Sequence, residues 1–534
     1  MRKRTWLISA SLILAGGAIL FISLRGSEET TSEKTAEAVA SKPNIVFIFA
    51  DDFGHHVPSV NGNKYIKTPN IDAIANEGAR FEQNYVTAPI CCASRAALLT
   101  GRYQQRFGSE FHLHYPSFSA YTSDSVKYVK SLLQQNITPD EQTQGVPATE
   151  INYAELLKQN GYTTGIIGKW HAGFFDGYRP HQRGFDYSWG WYGGSTLYYT
   201  DENDQEKITF RNADGYHHYV SNTNKYQWKR DPIATGIFRN GELVDEKEYQ
   251  TSAIAREAVA FIGQNKDKPF FLYVPFGAIH TPLQAVRQEY DKLAHIKDEQ
   301  QRILLAMTVS LDQAVGRILD KLKQEGLESN TIVVFSGDNG STYHRLNYNG
   351  TKEGITLYDD SYENINYPLK GGKLTHYEGG IRTPLFIKWP NKIKPGTVYS
   401  SPVSTLDLFP TFAAATGARL PEDRTYDGVD LLPYVTGANS NKPHEALYWR
   451  NGFVKTIRKG DYKLLVNEND RTVFLYDLKN DPYEKEDLSA QLPQKVEELK
   501  NDFLAWEKDL GQPRWRSPRV AKIVVEGKTV SFQP

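Results

Sequence analysis

The chain has 534 residues, of which 23% are charged, and a formal net charge of −1. This length is sufficient for a large core and for more than one structural unit. The near-zero charge excludes a global attraction for nucleic acid or an acidic membrane surface, so any attraction for anions must be local. The two cysteines are adjacent in sequence, which excludes a scaffold held together by disulfides.

The N-terminus begins Met-Arg-Lys-Arg and continues with uncharged, mostly apolar residues from Trp6 to Leu24. This pattern predicts an export signal or a signal anchor, and the length of the apolar run favours a retained anchor. Residues 26–41 are rich in Glu, Thr, Ser, Lys and Ala, which is typical of a flexible tether. We therefore expect an exported protein, either periplasmic or tethered to the membrane of a bacterium.

Short apolar runs alternate with helical patterns from about Lys42 onward. Unbroken apolar runs of this length are typical of strands buried on both faces. The predicted strands are Asn44–Ala50, Thr163–Gly168, Pro269–Val274, Thr331–Ser336 and Pro384–Trp389. The predicted helices are Ile71–Glu77, Tyr153–Gln159, Gln250–Gln264, Glu299–Glu325 and Thr405–Thr416. This alternation predicts an α/β fold, with a mostly parallel central sheet flanked by helices on both sides.

The pattern changes near Gly437, where short antiparallel strands and a final helix are predicted. The strands are Ala446–Tyr448, Phe453–Ile457, Lys463–Val466 and Val473–Tyr476, and the helix is Val496–Lys508. We therefore expect a signal peptide or membrane anchor with its tether over 1–41, a main domain over 42–436, and a C-terminal subdomain and tail over 437–534.

Charged and imidazole side chains follow four of the predicted strands. They are Asp51 and Asp52 after the first strand, Lys169 and His171 after the second, His280 past the third, and Asp338 and Asn339 after the fourth. In an open parallel sheet, ligands bind outside the carboxyl ends of the strands, so we expect these side chains to share one site. The Asp and Asn residues supply only oxygen ligands, which favour a hard divalent cation such as Ca²⁺ over Zn²⁺.

Residues 91–101 read Cys-Cys-Ala-Ser-Arg-Ala-Ala-Leu-Leu-Thr-Gly, which places a thiol just before the first turn of a short helix. A helix N-terminus favours an anion, and Arg95 adds a fixed cation, so the segment predicts an anionic substrate. It resembles the formylglycine signature of the type I sulfatases, in which Cys is followed by any residue, Pro or Ala, Ser and Arg. The register of this resemblance identifies Cys91 as the residue converted to an aldehyde, and leaves Cys92 as a small buried filler.

Further sequence landmarks resemble those of the same family, in the family's order, over roughly residues 42–485. They are Pro43-Asn44-Ile45-Val46, Thr68-Pro69-Asn70-Ile71-Asp72, Gly168-Lys169-Trp170-His171, His181-Gln182-Arg183-Gly184-Phe185-Asp186, Ser336-Gly337-Asp338-Asn339-Gly340, Lys370-Gly371-Gly372-Lys373 and Glu378-Gly379-Gly380. So many ordered matches are far more specific than one motif. The resemblance implies an alkaline-phosphatase-like α/β sandwich with a smaller C-terminal subdomain of an antiparallel sheet and a helix.

The resemblance also implies the chemistry of the site, which is the hydrolysis of sulfate esters. It assigns Ca²⁺ to Asp51, Asp52, Asp338, Asn339 and the modified Cys91. Hydration of the aldehyde gives a geminal diol, of which one hydroxyl attacks sulfur and the other then expels sulfate. It implies that Arg95 and Lys169 stabilise charge at the metal and that His171 accepts the proton of the second hydroxyl. His280 with Lys373 would protonate or stabilise the leaving alcohol. A separate maturase in the host must form the aldehyde.

Two segments outside the landmarks are candidates for selecting the substrate. Residues 187–228 are dense in aromatic side chains, which suit sugar rings, although a loop packed by its own rings is the alternative. The candidate substrate-binding residues are Trp191, Tyr192, His217 and His218 in that segment, and His344 and Arg345 in a second segment, 343–367. The run Tyr103–Gly108 resembles exported bacterial polysaccharide sulfatases, including those that act on carrageenan-like algal galactans. The predicted substrate is therefore a sulfated polysaccharide or oligosaccharide.

Two other functions are compatible with the same residues. A phosphonate monoester or phosphodiester hydrolase of the same superfamily would share every site residue named above. A protein that binds sulfated glycans without turnover would result if Cys91 were never oxidised, because the modification depends on a separate enzyme.

Overall fold

The computed structural model describes residues 42–113, 143–199, 206–210, 235–342, 356–357, 365–515, 517, 520–525 and 528–533. Within these ranges, none of the helices combines the length and the apolarity that a membrane crossing requires. The predicted N-terminal signal or anchor lies outside the described residues, as do four of the candidate substrate-binding residues, His217, His218, His344 and Arg345.

Among the described residues, the strands form sheets of eleven, four, three and two strands. In chain order they are β1 (Asn44–Ala50), β2 (Ala79–Tyr85), β3 (Thr163–Lys169), β4 (Tyr187–Trp191), β5 (Lys207–Thr209), β6 (Ile237–Arg239), β7 (Glu242–Val244), β8 (Phe270–Pro275), β9 (Gln284–Val286), β10 (Thr331–Gly337), β11 (Thr356–Leu357), β12 (Arg382–Lys388), β13 (Thr397–Tyr399), β14 (Val403–Ser404), β15 (Ala446–Asn451), β16 (Val454–Lys459), β17 (Tyr462–Asn467), β18 (Thr472–Asp477), β19 (Ala521–Val525) and β20 (Lys528–Phe532).

The α-helices lie between these strands. They are α1 (Pro69–Asn76), α2 (Cys91–Thr100), α3 (Tyr153–Gln159), α4 (Gln250–Asn265), α5 (Arg287–Lys292), α6 (Glu299–Gln324), α7 (Glu378–Ile381), α8 (Leu408–Thr416), α9 (Leu432–Val435) and α10 (Pro493–Glu507).

The large central sheet has the strand order β13-β2-β12-β10-β1-β8-β3-β4-β6-β7, and β14 also pairs with β2. The strands around its centre, from β10 to β4, all run parallel. In contrast, β12 runs antiparallel to both of its neighbours, and β6 and β7 continue the other side as antiparallel strands. The prediction of a mostly parallel sheet is confirmed, with antiparallel strands towards the edges.

Helices cover both faces of the central sheet, which explains the unbroken apolar strands. Every residue of β1 is buried. Its side chains alternate between two cores: Val46 and Ile48 pack in the core with α1, α4 and α6, whereas Phe47 and Phe49 pack in the core with α2, α3 and α8. A strand that is buried on both faces needs apolar residues at every position, because successive side chains point to opposite sides.

The C-terminal part is an antiparallel sheet of β15 to β18 in sequential order, covered by α10. This architecture confirms the predicted subdomain of an antiparallel sheet and a helix. The core between the sheet and the helix includes Leu464 and Leu475 from the sheet, and Leu499 and Phe503 from α10. From Lys42 to the C-terminus the chain clusters as one unit, so the division at 436/437 stays a prediction.

Candidate active site

The polar side chains predicted to share a site converge at the carboxyl ends of four adjacent strands, in the order β10, β1, β8 and β3. The ammonium of Lys169 at the end of β3 lies 2.7 Å from a carboxylate oxygen of Asp51, which follows β1. The carboxylate of Asp338, after β10, accepts a hydrogen bond of 3.0 Å from the backbone N–H of Asp52. The parallel arrangement thus places residues that are distant in sequence within hydrogen-bonding distance.

Cys91 is the first residue of α2 and lies inside this cluster. All ten residues of α2 are buried. Gly101, the residue that follows the helix, has a φ of 66°, a conformation that glycine adopts without strain. Burial raises the pKa of the Cys91 thiol, and the nearby cations do not offset that effect. The thiol is therefore neutral before any modification.

The two adjacent thiols have different surroundings. The Cys91 sulfur lies within 4.8 Å of carboxylate oxygens of Asp51 and Asp338. The Cys92 thiol instead donates to the carbonyl oxygen of Phe111 over 3.6 Å and packs in the apolar core. The geometry therefore separates a thiol in the polar site from a thiol that fills space behind it.

Four residues supply oxygen atoms for a hard cation: Asp51, Asp52, Asp338 and Asn339. All four are buried. Among the described residues, nothing donates a hydrogen bond to Asp51 Oδ1 or to Asn339 Oδ1. A buried oxygen without a donor is costly unless a cation satisfies it, so these two atoms fit a metal-binding role. The Asn339 amide is held in place because its Nδ2 donates to Asp52 Oδ1 over 2.8 Å.

Three cations balance the three carboxylates of the site. Arg95, one turn into α2, pairs with Asp338 at 2.8 Å and donates from Nη1 to the carbonyl of Lys169 over 3.2 Å. Lys373 lies 2.8 Å from Asp52 Oδ1. These two cations with Lys169 equal the carboxylates in number, so a bound divalent cation would make the site net positive. An anion would then be attracted locally, although the whole chain carries almost no net charge.

The two central carboxyl groups have opposite pKa shifts. Burial raises the pKa of Asp52, but the charge of Lys373, with the hydrogen bonds from Lys373 and Thr342, outweighs that effect and lowers it overall. Burial and the neighbouring Asp51 raise the pKa of Asp338 to about 7, despite the nearby Arg95. Of these two carboxyl groups, Asp338 is the one whose ionisation a bound cation would assist more.

Both predicted histidines lie at the site in the neutral form. Burial, with the charge of Lys169, holds the pKa of His171 well below its usual range. Burial and Lys373 lower the pKa of His280 to about 3. Nδ1 of His280 lies 2.6 Å from the carbonyl oxygen of Thr281, which can only accept, so Nδ1 carries the proton. Nε2 therefore carries the lone pair, 3.8 Å from Asp52 Oδ2.

The structure adds two residues that the sequence did not indicate. Thr342 Oγ1 donates to Asp52 Oδ2 over 2.5 Å. Its position three residues after Asn339 is the signal that would have found it. The ring of His112 lies 5.2 Å from the ring of His171, measured between centroids. His112 belongs to an irregular segment after α2, and no periodicity or motif in the sequence indicates its position.

The two described candidates for substrate binding lie deeper than expected for residues that contact a glycan. Trp191 is 1% exposed and lines a small cavity together with Asp51 and His280. Tyr192 is 2% exposed and stacks on Phe238 at 4.6 Å between centroids. Their contact with substrate stays a prediction.

Comparison with known proteins identifies related chains over most of this length. A family model described as Sulfatase matches residues 43–418, and a second, described as N-sulphoglucosamine sulphohydrolase, C-terminal, matches residues 372–508. Human steryl-sulfatase is 29% identical over 478 residues, which cover 78% of this chain and 74% of that protein. Mouse N-acetylgalactosamine-6-sulfatase is 32% identical over 435 residues, which cover 80% of this chain and 72% of that protein.

Among solved structures, the crystal structure of Ps i-CgsB matches with a TM-score of 0.72 and 33% sequence identity, covering 89% of this chain and 95% of that chain. The same values are found for the complex of Ps i-CgsB with k-i-k-neocarrahexaose. The similarity therefore includes both the fold and a large part of the sequence.

Proposed function

Since the chain belongs to the sulfatase family and is thereby a sulfuric ester hydrolase, we propose that it removes sulfate from a sulfated carbohydrate by means of Ca²⁺ and an aldehyde formed from Cys91. The observation that carries this proposal is the position of Cys91. Its sulfur lies at the start of a buried helix, within 4.8 Å of oxygens of Asp51 and Asp338. A group formed there would be within reach of both a bound cation and the cations that attract sulfate.

Different residues of the site would hold the cation, supply the nucleophile and position the ester. The oxygen atoms of Asp51, Asp52, Asp338 and Asn339 would hold Ca²⁺, which draws electron density from a sulfate oxygen when bound. The formylglycine at Cys91, when present, supplies the nucleophilic oxygen in its hydrated form. The chain's own residues then orient the ester, exclude water and carry protons.

The exposed fractions of the site residues indicate where the leaving alcohol lies. Arg95, Lys169 and His171 are 0% exposed and form the floor of the site. Lys373 and His280 have side chains that are 14% and 11% exposed. A sugar is too large to enter the floor, so the sulfate group faces inward and the sugar lies beside Lys373 and His280. Both residues thus lie beside the leaving oxygen, where Lys373 can donate a proton directly and His280 can do so only after its Nε2 has taken one up.

We propose a carrageenan-like galactan as the substrate class. The support is the similar structure that was solved with k-i-k-neocarrahexaose. The run Tyr103–Gly108 in this chain, which resembles polysaccharide sulfatases, agrees with that assignment. Export by the segment 1–41, and a periplasmic or membrane-tethered location, would suit an enzyme that acts on imported oligosaccharides. Cell fractionation with an antibody against the chain would test this location.

The first experiment is mass spectrometry of the peptide that contains residues 91–95, from protein purified from its native host. Conversion of the Cys91 thiol to the aldehyde would lower the peptide mass by about 18 Da. Initial rates are then measured on carrageenan oligosaccharides, an aryl sulfate, a phosphonate monoester and a phosphodiester. Release of sulfate as the preferred reaction supports the proposal.

Matched variants of the two thiols serve as controls. Cys91→Ala is expected to abolish turnover, whereas Cys92→Ala is expected to retain it, because only Cys91 faces the site. A higher rate on the phosphonate or the phosphodiester would favour a phosphonate monoester or phosphodiester hydrolase. An unmodified thiol in the host protein, with glycan binding but no turnover, would favour a binding protein.

A further inference from the structure

Cys91 takes part in a second group of metal-ligating atoms, distinct from the oxygen cluster. Ligand atoms of Cys91, His112 and His171 all lie within 4.8 Å of one another. Cys91 is 2% exposed and His171 is 0% exposed, whereas His112 is half-buried, so the group is largely but not fully shielded from bulk water. The Cys91 sulfur is common to both groups, since the same atom also lies near Asp51 and Asp338.

The chemistry of this second group differs from that of the first. A thiolate with two imidazoles is a ligand set for Zn²⁺ or Co²⁺, whereas Ca²⁺ takes oxygen ligands. Tetrahedral Zn²⁺ with bonds of about 2.0–2.3 Å brings its ligand atoms to about 3.5 Å from one another. Since the ligand atoms lie within 4.8 Å of one another, they would have to close by at most about 1.3 Å, a distance within reach of small torsional changes.

Contacts around both histidines hold them in place for this role. Nδ1 of His112 lies 2.6 Å from the carbonyl oxygen of Leu113, so in the neutral ring Nδ1 carries the proton and Nε2 the lone pair. A ring N–H donated to a backbone carbonyl is the usual support of a metal-ligating histidine. The carbonyl of His112 accepts from Trp515 Nε1 over 3.0 Å. The backbone N–H of His171 donates to the carbonyl of Tyr192 over 3.1 Å.

We propose that the folded protein with unmodified Cys91 binds Zn²⁺ through Cys91, His112 and His171, and that conversion of Cys91 to the aldehyde abolishes this site. On binding, the S–H bond breaks, an S–Zn bond forms and the proton leaves to solvent, with no change in oxidation state. Conversion removes the sulfur atom and leaves only two imidazoles. The unmodified chain is then a zinc-binding protein, and the converted chain binds only through the oxygen cluster.

The test uses the full chain produced without a maturase, with the Cys91 thiol verified by peptide mass spectrometry. This chain is titrated with Co²⁺, which replaces Zn²⁺ and absorbs visible light. We expect d–d bands of tetrahedral coordination and a thiolate-to-cobalt charge-transfer band, both displaced by added Zn²⁺. The converted protein should show no charge-transfer band.

Two alanine variants of adjacent thiols form the matched comparison. Cys91→Ala should abolish the charge-transfer band, whereas Cys92→Ala should retain it, because the Cys92 thiol is directed to the carbonyl of Phe111. His112→Ala removes one of the three proposed ligands, so it should weaken Co²⁺ binding by more than the about tenfold that is typical when only a supporting contact of a metal ligand is lost. Circular dichroism of each variant verifies that the fold is intact.

The inference is overturned if the wild-type protein gives no charge-transfer band, or if the band survives in Cys91→Ala. It is also overturned if folded His112→Ala binds Co²⁺ as tightly as the wild type. These outcomes are independent of the proposed sulfatase reaction, since they concern only the unmodified thiol. A converted protein that fails to release sulfate would instead contradict the proposed function.

Discussion

Arg95 links α2 to the oxygen cluster, because its guanidinium pairs with Asp338. The guanidinium also lies over the ring of Phe49, 5.2 Å from its centroid. Burial lowers the pKa of Arg95, but the charges of Asp338 and Asp51 outweigh that effect and raise it, so the cation persists. Its removal leaves buried carboxylates without a compensating charge. The site therefore depends on this residue for stability as well as for attraction of an anion.

We expect Arg95→Ala to lower the free energy of unfolding by about 3–5 kcal/mol in metal-free buffer, since breaking a buried ion pair strands the other charge. Denaturant unfolding measures this loss. The control is Lys247→Ala, whose ion pair with Asp245 has side chains 79% and 69% exposed, and which should cost less than about 1 kcal/mol. A loss as small as the control's for Arg95→Ala would contradict the expected role of this ion pair.

His376 forms hydrogen bonds to two strands of the C-terminal sheet, and these bonds select one tautomer of its ring. The amide of Asn451 donates from Nδ2 to the carbonyl of Glu110, so its Oδ1 accepts from His376 Nε2 over 3.1 Å. The Thr456 hydroxyl then donates to Nδ1 over 2.9 Å. Burial lowers the pKa of His376 to about 3, and the charge of Lys463 adds to that effect.

This pKa shift predicts a loss of stability at acid pH. Below the unfolded pKa of 6.5 the unfolded state binds a proton that the folded state does not. The free energy of unfolding should therefore fall by up to about 1.4 kcal/mol per pH unit from this residue. His376→Gln removes the titration, so its deficit relative to wild type should shrink between about pH 7 and pH 5. Urea unfolding at each pH measures the deficit, and a constant value would count against this assignment.

At the scale of elements, the C-terminal tail holds the segment that follows α2. Trp515 is 5% exposed, and its Nε1 lies 3.2 Å and 3.0 Å from the carbonyls of Phe111 and His112. Arg514 Nη1 donates to the carbonyl of Gly145 over 3.0 Å. The tail therefore fixes the backbone that carries His112 beside the site.

Two substitutions separate the packing of Trp515 from its hydrogen bond. Trp515→Ala should lower the free energy of unfolding by about 3–5 kcal/mol through the cavity it leaves. Trp515→Phe should cost about 1 kcal/mol, because it removes the N–H donor. It should also speed hydrogen exchange in residues 105–112. The control is Trp506→Phe, whose N–H donates to none of the described residues. Equal exchange rates in the two Phe variants would contradict the positioning role.

Element boundaries followed local patterns closely. The predicted strand Asn44–Ala50 and helix Tyr153–Gln159 have the observed bounds. Helix α1 begins two residues before its predicted start because Pro69 is suited to a first helical turn. The predicted helix Thr405–Thr416 is a 3₁₀ turn over Thr405–Asp407 followed by α8. These differences arise at helix ends, where the backbone hydrogen bonds are incomplete.

At the scale of the whole molecule, a buried network of charged side chains joins the C-terminal sheet to α7, the helix directly before β12 of the central sheet. Lys463 in β17 is 0% exposed and lies 2.9 Å from Glu378 in α7 and 2.8 Å from Glu484. Glu484 accepts in turn from the backbone N–H of Glu378 over 2.7 Å. Burial, with the charge of Glu378, raises the pKa of Glu484 to about 7. Lys463 is thus shared between two buried carboxyl groups across the junction, and Glu378 has a second cation in Arg382 at 3.7 Å.

We expect Lys463→Met to destabilise the protein by about 3–5 kcal/mol, since the buried Glu484 loses its ion pair with Lys463 and Glu378 keeps only the one with Arg382. Adding Glu484→Gln should restore part of that loss, which a double-mutant cycle by calorimetry measures. The control is Lys459→Met. The side chain of Lys459 is 39% exposed and that of its partner Asp502 is 34% exposed, so this variant should lower the free energy of unfolding by less than about 1 kcal/mol. Additive losses in the cycle would contradict the shared-cation arrangement.

Ca²⁺ should stabilise the whole fold, because the folded chain alone brings Asp51, Asp52 and Asp338 together. At 100 times its dissociation constant, the ion should add about 2.7 kcal/mol to the free energy of unfolding. A chelator should reverse the gain, and Asp338→Asn should abolish it. Asp312→Asn alters a buried carboxyl elsewhere, which caps α1 through Ile71 N–H at 2.8 Å, and should retain the gain. Thermal unfolding of each protein with and without Ca²⁺ measures the gain. A wild-type melting temperature that Ca²⁺ does not change would contradict the proposed cation site.

The sequence by itself determined the central strands and the polar residues at their ends, and the register of its signature predicts modification of Cys91 rather than Cys92. Each is a local property: a strand buried on both faces must be apolar throughout, and the signature has a fixed register. Only the tertiary structure decided that β12 runs antiparallel, that Trp191 and Tyr192 are buried, and that His112, Thr342 and Trp515 lie at or behind the site. These features depend on packing between segments distant in the chain, which local periodicity does not encode.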